Sequence, residues 1–205
     1  MDSKNSFSKI ILASASPRRV ALLHMLGIEF EAKPSHVDEN VPPSMEAGVA
    51  VLEIAKRKAS HILKSTVETD AIVIGADTTV VLNQEMLGKP ETAEGAVDML
   101  STLSGTRHLV MTGVVLMYRN ENGGEEINSG VEISTVKFRD LMEREIRAYV
   151  ETGEPMDKAG AYGLQGLGSA FVEKIEGCYT NIIGLPVPMT VKLLRDVGVS
   201  VLNCP

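Results

Sequence analysis

A continuous apolar run, Ala71-Ile72-Val73-Ile74, constrains the fold of this chain more than any other feature of its sequence. A run without polar alternation is typical of a strand that is buried on both faces of its sheet. Helix-like and strand-like patterns alternate along the rest of the chain, with no internal repeat. Together these patterns predict an α/β protein whose sheet is flanked by helices.

Short apolar runs predict further strands at residues 10–13, 28–32, 109–118, 130–138, 171–175 and 180–183. Helical spacing of apolar residues predicts helices at 20–26, 47–63, 92–103, 141–150 and 188–197. Between two of the strands, Asn122-Gly123-Gly124 is a strong hairpin signal, and hairpin strands are antiparallel. We therefore expect a mixed sheet. The length of 205 residues suits one domain, or one domain with two lobes.

Composition and charge limit the partners. A net charge of -7 and few aromatic residues (4 Phe, 4 Tyr, no Trp) argue against nucleic-acid binding. No apolar stretch reaches the roughly 18 residues of a membrane span, and the run at 10–13 is too short for a signal peptide. Two cysteines, Cys178 and Cys204, make no disulfide framework. We expect a cytoplasmic protein without membrane or nucleic-acid partners, and with a flexible N-terminus at 1–8.

A first candidate for chemistry is the segment 13–19, Ala-Ser-Ala-Ser-Pro-Arg-Arg. Ser16 suits a helix N-cap and Pro17 a first helical residue. A strand that leads into a helix N-terminus presents free N–H groups and the positive end of the helix dipole, which favour phosphate. Arg18 and Arg19 in the first turn are unfavourable there unless an anion compensates them. The alternative is a capped surface helix with two solvated arginines.

A second candidate is Asp77, in Gly75-Ala76-Asp77-Thr78-Thr79, which we place just beyond the end of the buried strand at 71–74. Ligands of α/β proteins gather outside the carboxyl ends of strands, where an acid can bind a metal or take a proton from water. The alternative is a turn-forming Asp. Lys89, a short loop further on, precedes a proline and is by itself only an exposed extended residue.

A third candidate is the segment 157–168, whose four glycines indicate a loop with close backbone contacts. It neither follows a strand nor opens a helix, so it is not a dinucleotide-binding motif. The histidines show no metal-ligand spacing and are interpreted as structural or exposed: His24, His36, His61 and His108.

Taken together, these segments closely resemble the Maf family, which is related in fold to the inosine-triphosphate pyrophosphatases. The resemblance runs in the family's order from about residue 9 to 194 and rests on residues 12–19, 37–39, 55–59, 75–78, 88–90, 103–105 and 153–163. It implies one Maf-like domain over 1–205, in which a mixed twisted β-sheet is flanked by helices and two lobes surround a central cleft. It also implies a homodimer.

The resemblance further implies hydrolysis of a nucleoside triphosphate between its α and β phosphates. Asp77 resembles the family's proton acceptor and Glu39 its acidic partner around a divalent ion, with Lys58 and Lys89 as further catalytic residues. The substrate-binding positions are Ser14, Arg18, Arg19, Thr78, Asp157, Lys158 and Gln165.

Charge counting suggests a metal. A triphosphate carries about four negative charges, and phosphoryl transfer depends on their neutralisation. The expected site cations, less the carboxylates of Asp77 and Glu39, leave a deficit that Mg²⁺, Mn²⁺ or Co²⁺ would cover. Whether Asp77 acts chiefly as base or as metal ligand stays open.

Base specificity in the family depends on three positions, occupied by Arg18, Thr78 and Gln165. This set resembles the dTTP/UTP branch, whereas the 7-methyl-GTP-type branch carries an aromatic residue, a Gln and a Glu. A Gln amide both donates and accepts, so it can pair with a pyrimidine carbonyl and a ring N–H. The alternatives are a non-enzymatic regulator of septum formation and a nucleotide sensor without turnover. Every expected catalytic position is filled, which favours the enzyme.

Overall fold

The structure, a computed structural model, describes residues 7–201. Its strands are β1 (Lys9–Leu12), β2 (Glu31–Ala32), β3 (Ala71–Leu82), β4 (Glu85–Leu87), β5 (Arg107–Arg119), β6 (Glu125–Phe138) and β7 (Val172–Glu176). Its α-helices are α1 (Pro17–His24), α2 (Ala47–Ser65), α3 (Ala93–Leu103), α4 (Glu143–Glu151), α5 (Tyr179–Ile183) and α6 (Val187–Asp196). Short 3₁₀ helices lie at Glu154–Asp157, Ala159–Ala161 and Leu167–Phe171.

The strands form one seven-stranded sheet in the order β2-β1-β3-β5-β6-β7, with β4 also paired to β3. Strand β1 runs parallel to β2 and β3, whereas β4 is antiparallel to β3 and β7 is antiparallel to β6. The mixed sheet predicted from the sequence is therefore confirmed. Within residues 7–201, no helix is both long and apolar enough to cross a membrane.

The described chain divides into two compact units. The first comprises residues 7–77, 112–132 and 184–201, and the second comprises residues 78–111 and 133–183. Strands β3, β5 and β6 contribute residues to both. The single two-lobed domain and its central cleft stay predictions. Of the predicted flexible N-terminus, residues 1–6 lie outside the described residues, and the Phe7 ring packs 5.1 Å from the ring of Tyr118.

In the first unit, helix α2 packs directly on strand β3. A Cβ added to Gly75 would lie 2.1 Å from the carbonyl oxygen of Ala55, so only glycine permits this approach. The apolar cluster around the contact contains Ile11, Ala13, Ala55, Ala59, Ile62, Leu63, Ala71, Val73, Val115 and Met117. The close packing of helix on strand places the polar side chains of α2 beside those of β3.

The predicted buried strand at 71–74 is confirmed but is longer than predicted, since β3 continues to Leu82. Asp77 therefore lies inside a strand, and its placement beyond the strand end was wrong. The strand continues because its last three residues, 80–82, pair with β4, which follows β3 after a tight turn. In that turn Asn83 and Gln84 adopt φ of 50° and 71°. This hairpin was not predicted from the sequence.

In the second unit, the main core packs around an aromatic group, in which the Phe138 and Tyr162 ring centroids are 4.7 Å apart. The strand predicted at 180–183 was wrong, because residues Tyr179–Ile183 form the short helix α5. The buried Asn181 amide donates to Val110 O and to Ser134 Oγ, both at 2.9 Å. These tertiary contacts override the strand preference of a short apolar run.

The remaining helices confirm the predicted ones with small shifts at their ends. Thr92 caps α3 through its hydroxyl, which accepts from Gly95 N. The predicted hairpin turn is also confirmed, since Asn120 N donates to Gly124 O at 2.9 Å and Gly123 has φ of 80°. Only two residues of the predicted strand 28–32 are extended in β2.

Candidate functional site

The centre of the first unit's polar group is Lys58, whose side chain is only 8% exposed. Its Nζ lies 2.7 Å from Asp77 Oδ1 and 2.9 Å from Glu39 Oε1. Helix α2 supplies Lys58, strand β3 supplies Asp77, and the loop between β2 and α2 supplies Glu39. A buried ammonium is tolerated only when it is paired, so the structure brings together three predicted catalytic residues in one ion-pair network.

The start of helix α1 has the predicted capping geometry. The Ser16 hydroxyl accepts from Arg19 N at 3.4 Å, and Pro17 is the first helical residue. Ser14 is buried, and its Oγ accepts from Ser16 N at 3.1 Å. These contacts order the turn between β1 and α1 and leave a helix N-terminus of the kind that binds anions.

Arg19 lies in the electrostatic field of the same carboxylates. Burial lowers the pKa of its guanidinium, while the negative charges of Asp77 and Glu39 oppose that shift and Arg18 adds to it. The guanidinium remains charged at any physiological pH. Its Nε donates to Gly184 O at 2.8 Å, which fixes its orientation. Arg19 thus joins the group as a second oriented cation.

The donor chemistry of this group fits one class of metal. Among residues 7–201, no three or more His, Cys, Asp or Glu side chains cluster in a way that could hold an ion on their own. Glu39 and Asp77, which share Lys58, provide only two carboxylates. Mg²⁺ is commonly bound by one or two carboxylates, with water and substrate phosphates filling the other positions. Two carboxylates therefore fit a magnesium-type ion whose remaining positions are filled by water or another ligand, and they do not fit a structural zinc.

In the second unit, Lys158 is held by its own segment. Its Nζ donates to Asp157 Oδ1 at 2.6 Å and to the carbonyl oxygen of Glu154, and its side chain is 10% exposed. A Cβ added to Gly163 would lie 2.7 Å from Lys158 Cε, so the lysine stem rests against the glycine backbone. The close backbone contact predicted for the glycine-rich segment is confirmed at this position.

Glu154, a residue not predicted from the sequence to have a role, organises the same segment. Its carboxylate accepts from Tyr149 Oη and Leu167 N at 3.0 Å and from Gly168 N at 3.2 Å. Burial favours a higher pKa for Glu154, but the two amides, the Tyr149 hydroxyl and the positive charge of Lys158 together outweigh it and lower the pKa. The signal available in the sequence was its place in the matched segment 153–163. The turn that Glu154 holds carries Gln165, which is exposed.

The other predicted residues of the second unit are placed as follows. Thr78 is half-buried in β3, directly after Asp77. Lys89 is exposed between Gly88 and the buried Pro90, and Gly160 N donates to Gly88 O at 3.0 Å. That bond ties the segment of Lys89 to the segment of Lys158.

His108 is the structural histidine of the set, whereas His24, His36 and His61 are exposed. The Nε2 of His108 lies 2.8 Å from Tyr162 Oη, and burial lowers the pKa of the imidazole to about 4. His108 is therefore neutral at physiological pH.

The chain is similar to known proteins over most of its length. A family model described as Maf-like protein matches residues 9–197. A dTTP/UTP pyrophosphatase of Desulforamulus reducens is 45% identical over 192 residues, covering 94% of this chain and 98% of the relative. One of Hahella chejuensis is 44% identical over 194 residues, covering 94% of each. Among solved structures, a HAM1 protein from Coxiella burnetii shares the fold with a TM-score of 0.51 at 17% identity, over 92% of this chain and 98% of that one.

Proposed function

The chain belongs to the Maf family, and from that premise we propose that it hydrolyses dTTP and UTP to the nucleoside monophosphate and pyrophosphate. The observation that carries the proposal is the ion-pair network in which the buried Lys58 meets both Asp77 and Glu39. A binding protein without turnover has no need of a carboxylate held rigidly in a strand beside two cations.

In the proposed reaction, Asp77 takes a proton from the attacking water. The water oxygen forms a bond to the α phosphorus. The bond between the α phosphorus and the oxygen that bridges the α and β phosphates breaks, and pyrophosphate leaves with that bridging oxygen. Lys58 holds the Asp77 carboxylate in place through the 2.7 Å contact. Because β3 is a paired strand, the base keeps its position without reorganisation, which is what general base catalysis requires.

The phosphates would be bound by cations and by the N-terminus of α1. In the first unit, Arg18, Arg19 and the turn of Ser14 are the proposed ligands, since oriented guanidinium groups and free N–H groups both suit phosphate oxygens. A divalent ion held by Glu39 and Asp77 would supply further neutralisation and would make its bound water more acidic.

The predicted roles of the second unit's residues rest on the family resemblance. Lys89, Asp157 and Lys158 are proposed to contact substrate. Thr78 and Gln165, with Arg18, are proposed to select the base. The homodimer and the cytoplasmic location expected from the sequence also remain proposals.

The decisive experiment is a pyrophosphate-release assay over a panel of nucleoside triphosphates. We expect turnover of dTTP and UTP with Mg²⁺, Mn²⁺ or Co²⁺, and none with excess EDTA. The products should be the monophosphate and pyrophosphate. Release of orthophosphate and a diphosphate would mean that the other phosphoanhydride bond is cut and would contradict the mechanism.

A further inference from the structure

Arg57, the residue before Lys58 on helix α2, forms hydrogen bonds with the backbone of the loop that carries Glu39. Its Nη1 donates to Asp38 O at 3.2 Å and to Asn40 O at 2.8 Å. These two carbonyls belong to the residues on either side of Glu39. Successive helical residues point about 100° apart, so α2 can hold the loop backbone with Arg57 and the Glu39 carboxylate with Lys58.

A second contact aims the Arg57 side chain. Its Nε donates to Glu53 Oε1 at 2.9 Å, one helical turn earlier on α2. The guanidinium is planar, so fixing one of its N–H groups restricts the direction of the others. With Nε held by Glu53, Nη1 faces the loop.

The loop that carries Glu39 also has hydrogen bonds of its own, in addition to those from Arg57. Asp38 Oδ1 accepts from Asn40 N at 2.9 Å and from Asn40 Nδ2 at 2.7 Å, which folds a tight turn with Glu39 at its centre. The Glu39 side chain is 47% exposed, so packing restrains it far less than it restrains Lys58. The position of the carboxylate therefore depends strongly on its backbone.

We propose that Arg57 is a positioning residue for Glu39, which sets where that carboxylate meets Lys58 and a divalent ion. The inference rests on the proposed function only for the role of Glu39 in turnover. Removing a group that orients a metal ligand typically costs about 10- to 100-fold in metal affinity or activity. We expect R57Q to weaken binding of a divalent ion to the free protein by roughly 10-fold.

The test compares R57Q with a matched control, R147Q. Arg147 also donates from Nε to a glutamate one turn earlier, Glu143 Oε1 at 2.9 Å, and its Nη1 and Nη2 donate to the Glu94 carboxylate at 3.4 Å. Both substitutions thus remove an arginine from the same kind of helical ion pair, with the side chain 33% exposed in Arg57 and 48% exposed in Arg147. Of the two, R57Q also removes hydrogen bonds to the backbone of a loop.

Two readouts are measured on wild type, R57Q, R147Q, E39Q and E39Q/R57Q. The first is the affinity of the nucleotide-free protein for Mn²⁺ alone, followed by electron paramagnetic resonance of the unbound ion. The second is kcat/KM for dTTP as a function of Mg²⁺. We expect R57Q to shift both by roughly 10-fold and R147Q by less than about twofold. In the E39Q background R57Q should have no further effect, because the group that it positions is gone.

Three results would overturn the inference: equal effects of R57Q and R147Q, the same factor for R57Q with and without Glu39, or a wild type that binds no Mn²⁺. Failure of the proposed function looks different. In that case wild type releases no pyrophosphate from any triphosphate, while the coupling of Arg57 to Glu39 in Mn²⁺ affinity is still observed and supports the positioning role.

Discussion

Asp77→Asn replaces a carboxylate by a neutral amide of the same shape in the middle of β3. The amide oxygen can still accept from Lys58 Nζ, which lies 2.7 Å from Asp77 Oδ1. The changed properties are the negative charge and the basicity. A positioned general base contributes about 10²- to 10⁴-fold, so we expect turnover of dTTP to fall by at least about 100-fold.

The cost in stability follows from the same geometry. A hydrogen bond to a charged group is worth about 1.5–3 kcal/mol and a neutral one about 0.5–1.5 kcal/mol, so the exchange costs roughly 1–2 kcal/mol. Glu39, 2.9 Å from Lys58 Nζ, remains as an ionic partner and prevents an unpaired buried ammonium. For a chain of this size we expect Tm to fall by roughly 2–8 °C, which leaves the protein folded at assay temperature.

The assay is pyrophosphate release at saturating dTTP, with thermal unfolding measured on the same preparations without metal. Glu145→Gln is the control, because it makes the same carboxylate-to-amide change in an ion pair with Arg139, 2.9 Å away on the surface of the second unit. We expect its turnover to stay within about twofold of wild type. Turnover of Asp77→Asn within about 10-fold of wild type would refute the base, since a positioned base supplies more. A Tm drop well beyond the expected range would instead make Asp77 a structural residue.

Three further predictions concern the base, the pH and the packing of α2. Gln165→Glu should lower kcat/KM for UTP and dTTP by roughly 10- to 100-fold, because a carboxylate can only accept hydrogen bonds and repels a pyrimidine carbonyl. It should lower kcat/KM for 7-methyl-GTP much less. An equal loss on all three substrates would contradict recognition of the base by Gln165. Burial lowers the His108 pKa to about 4 from 6.5, so the folded state binds fewer protons and loses stability as pH falls through that window. In urea unfolding, the free energy of unfolding of wild type should therefore fall by about 3 kcal/mol relative to that of His108→Gln between pH 7 and pH 4. If the difference between the two proteins stayed constant over this range, the lowered pKa of His108 would be refuted. Gly75→Ala should lower the free energy of unfolding by at least about 1–3 kcal/mol in the same assay, because the added Cβ would lie 2.1 Å from the carbonyl oxygen of Ala55. The control Gly88→Ala, whose added Cβ would have no atom within 4 Å, should change the free energy of unfolding far less.

Local features of this protein could be read from its sequence because their causes are local. The cap of α1 depends on Ser16 and Pro17, which occupy the predicted positions, and on the neighbouring Ser14. The turn at Asn122-Gly123-Gly124 follows from residues that tolerate positive φ. The buried strand at 71–74 follows from an unbroken apolar run. In each case a few neighbouring residues determine the backbone conformation.

The family resemblance named Glu39, Lys58 and Asp77, but the residue patterns themselves did not pair them. Lys58 and Asp77 are 19 residues apart and meet because Gly75 lets α2 lie directly on β3. The extent of β3, which places Asp77 inside the strand, depends on a hairpin partner that the apolar pattern did not reveal.

Arg57 and Glu154 are the residues that only the tertiary structure singled out. Arg57 binds carbonyls 17 and 19 residues earlier in the chain, and Glu154 binds amides 13 and 14 residues later. Both lie in segments that resemble the family, 55–59 and 153–163, but the resemblance gives neither residue a role. These distant partners are backbone groups, which every residue carries, so side-chain patterns cannot identify which ones are bound. Which backbone groups are bound is decided only when the packing of α2 and of the glycine-rich segment brings donor and acceptor into hydrogen-bond distance.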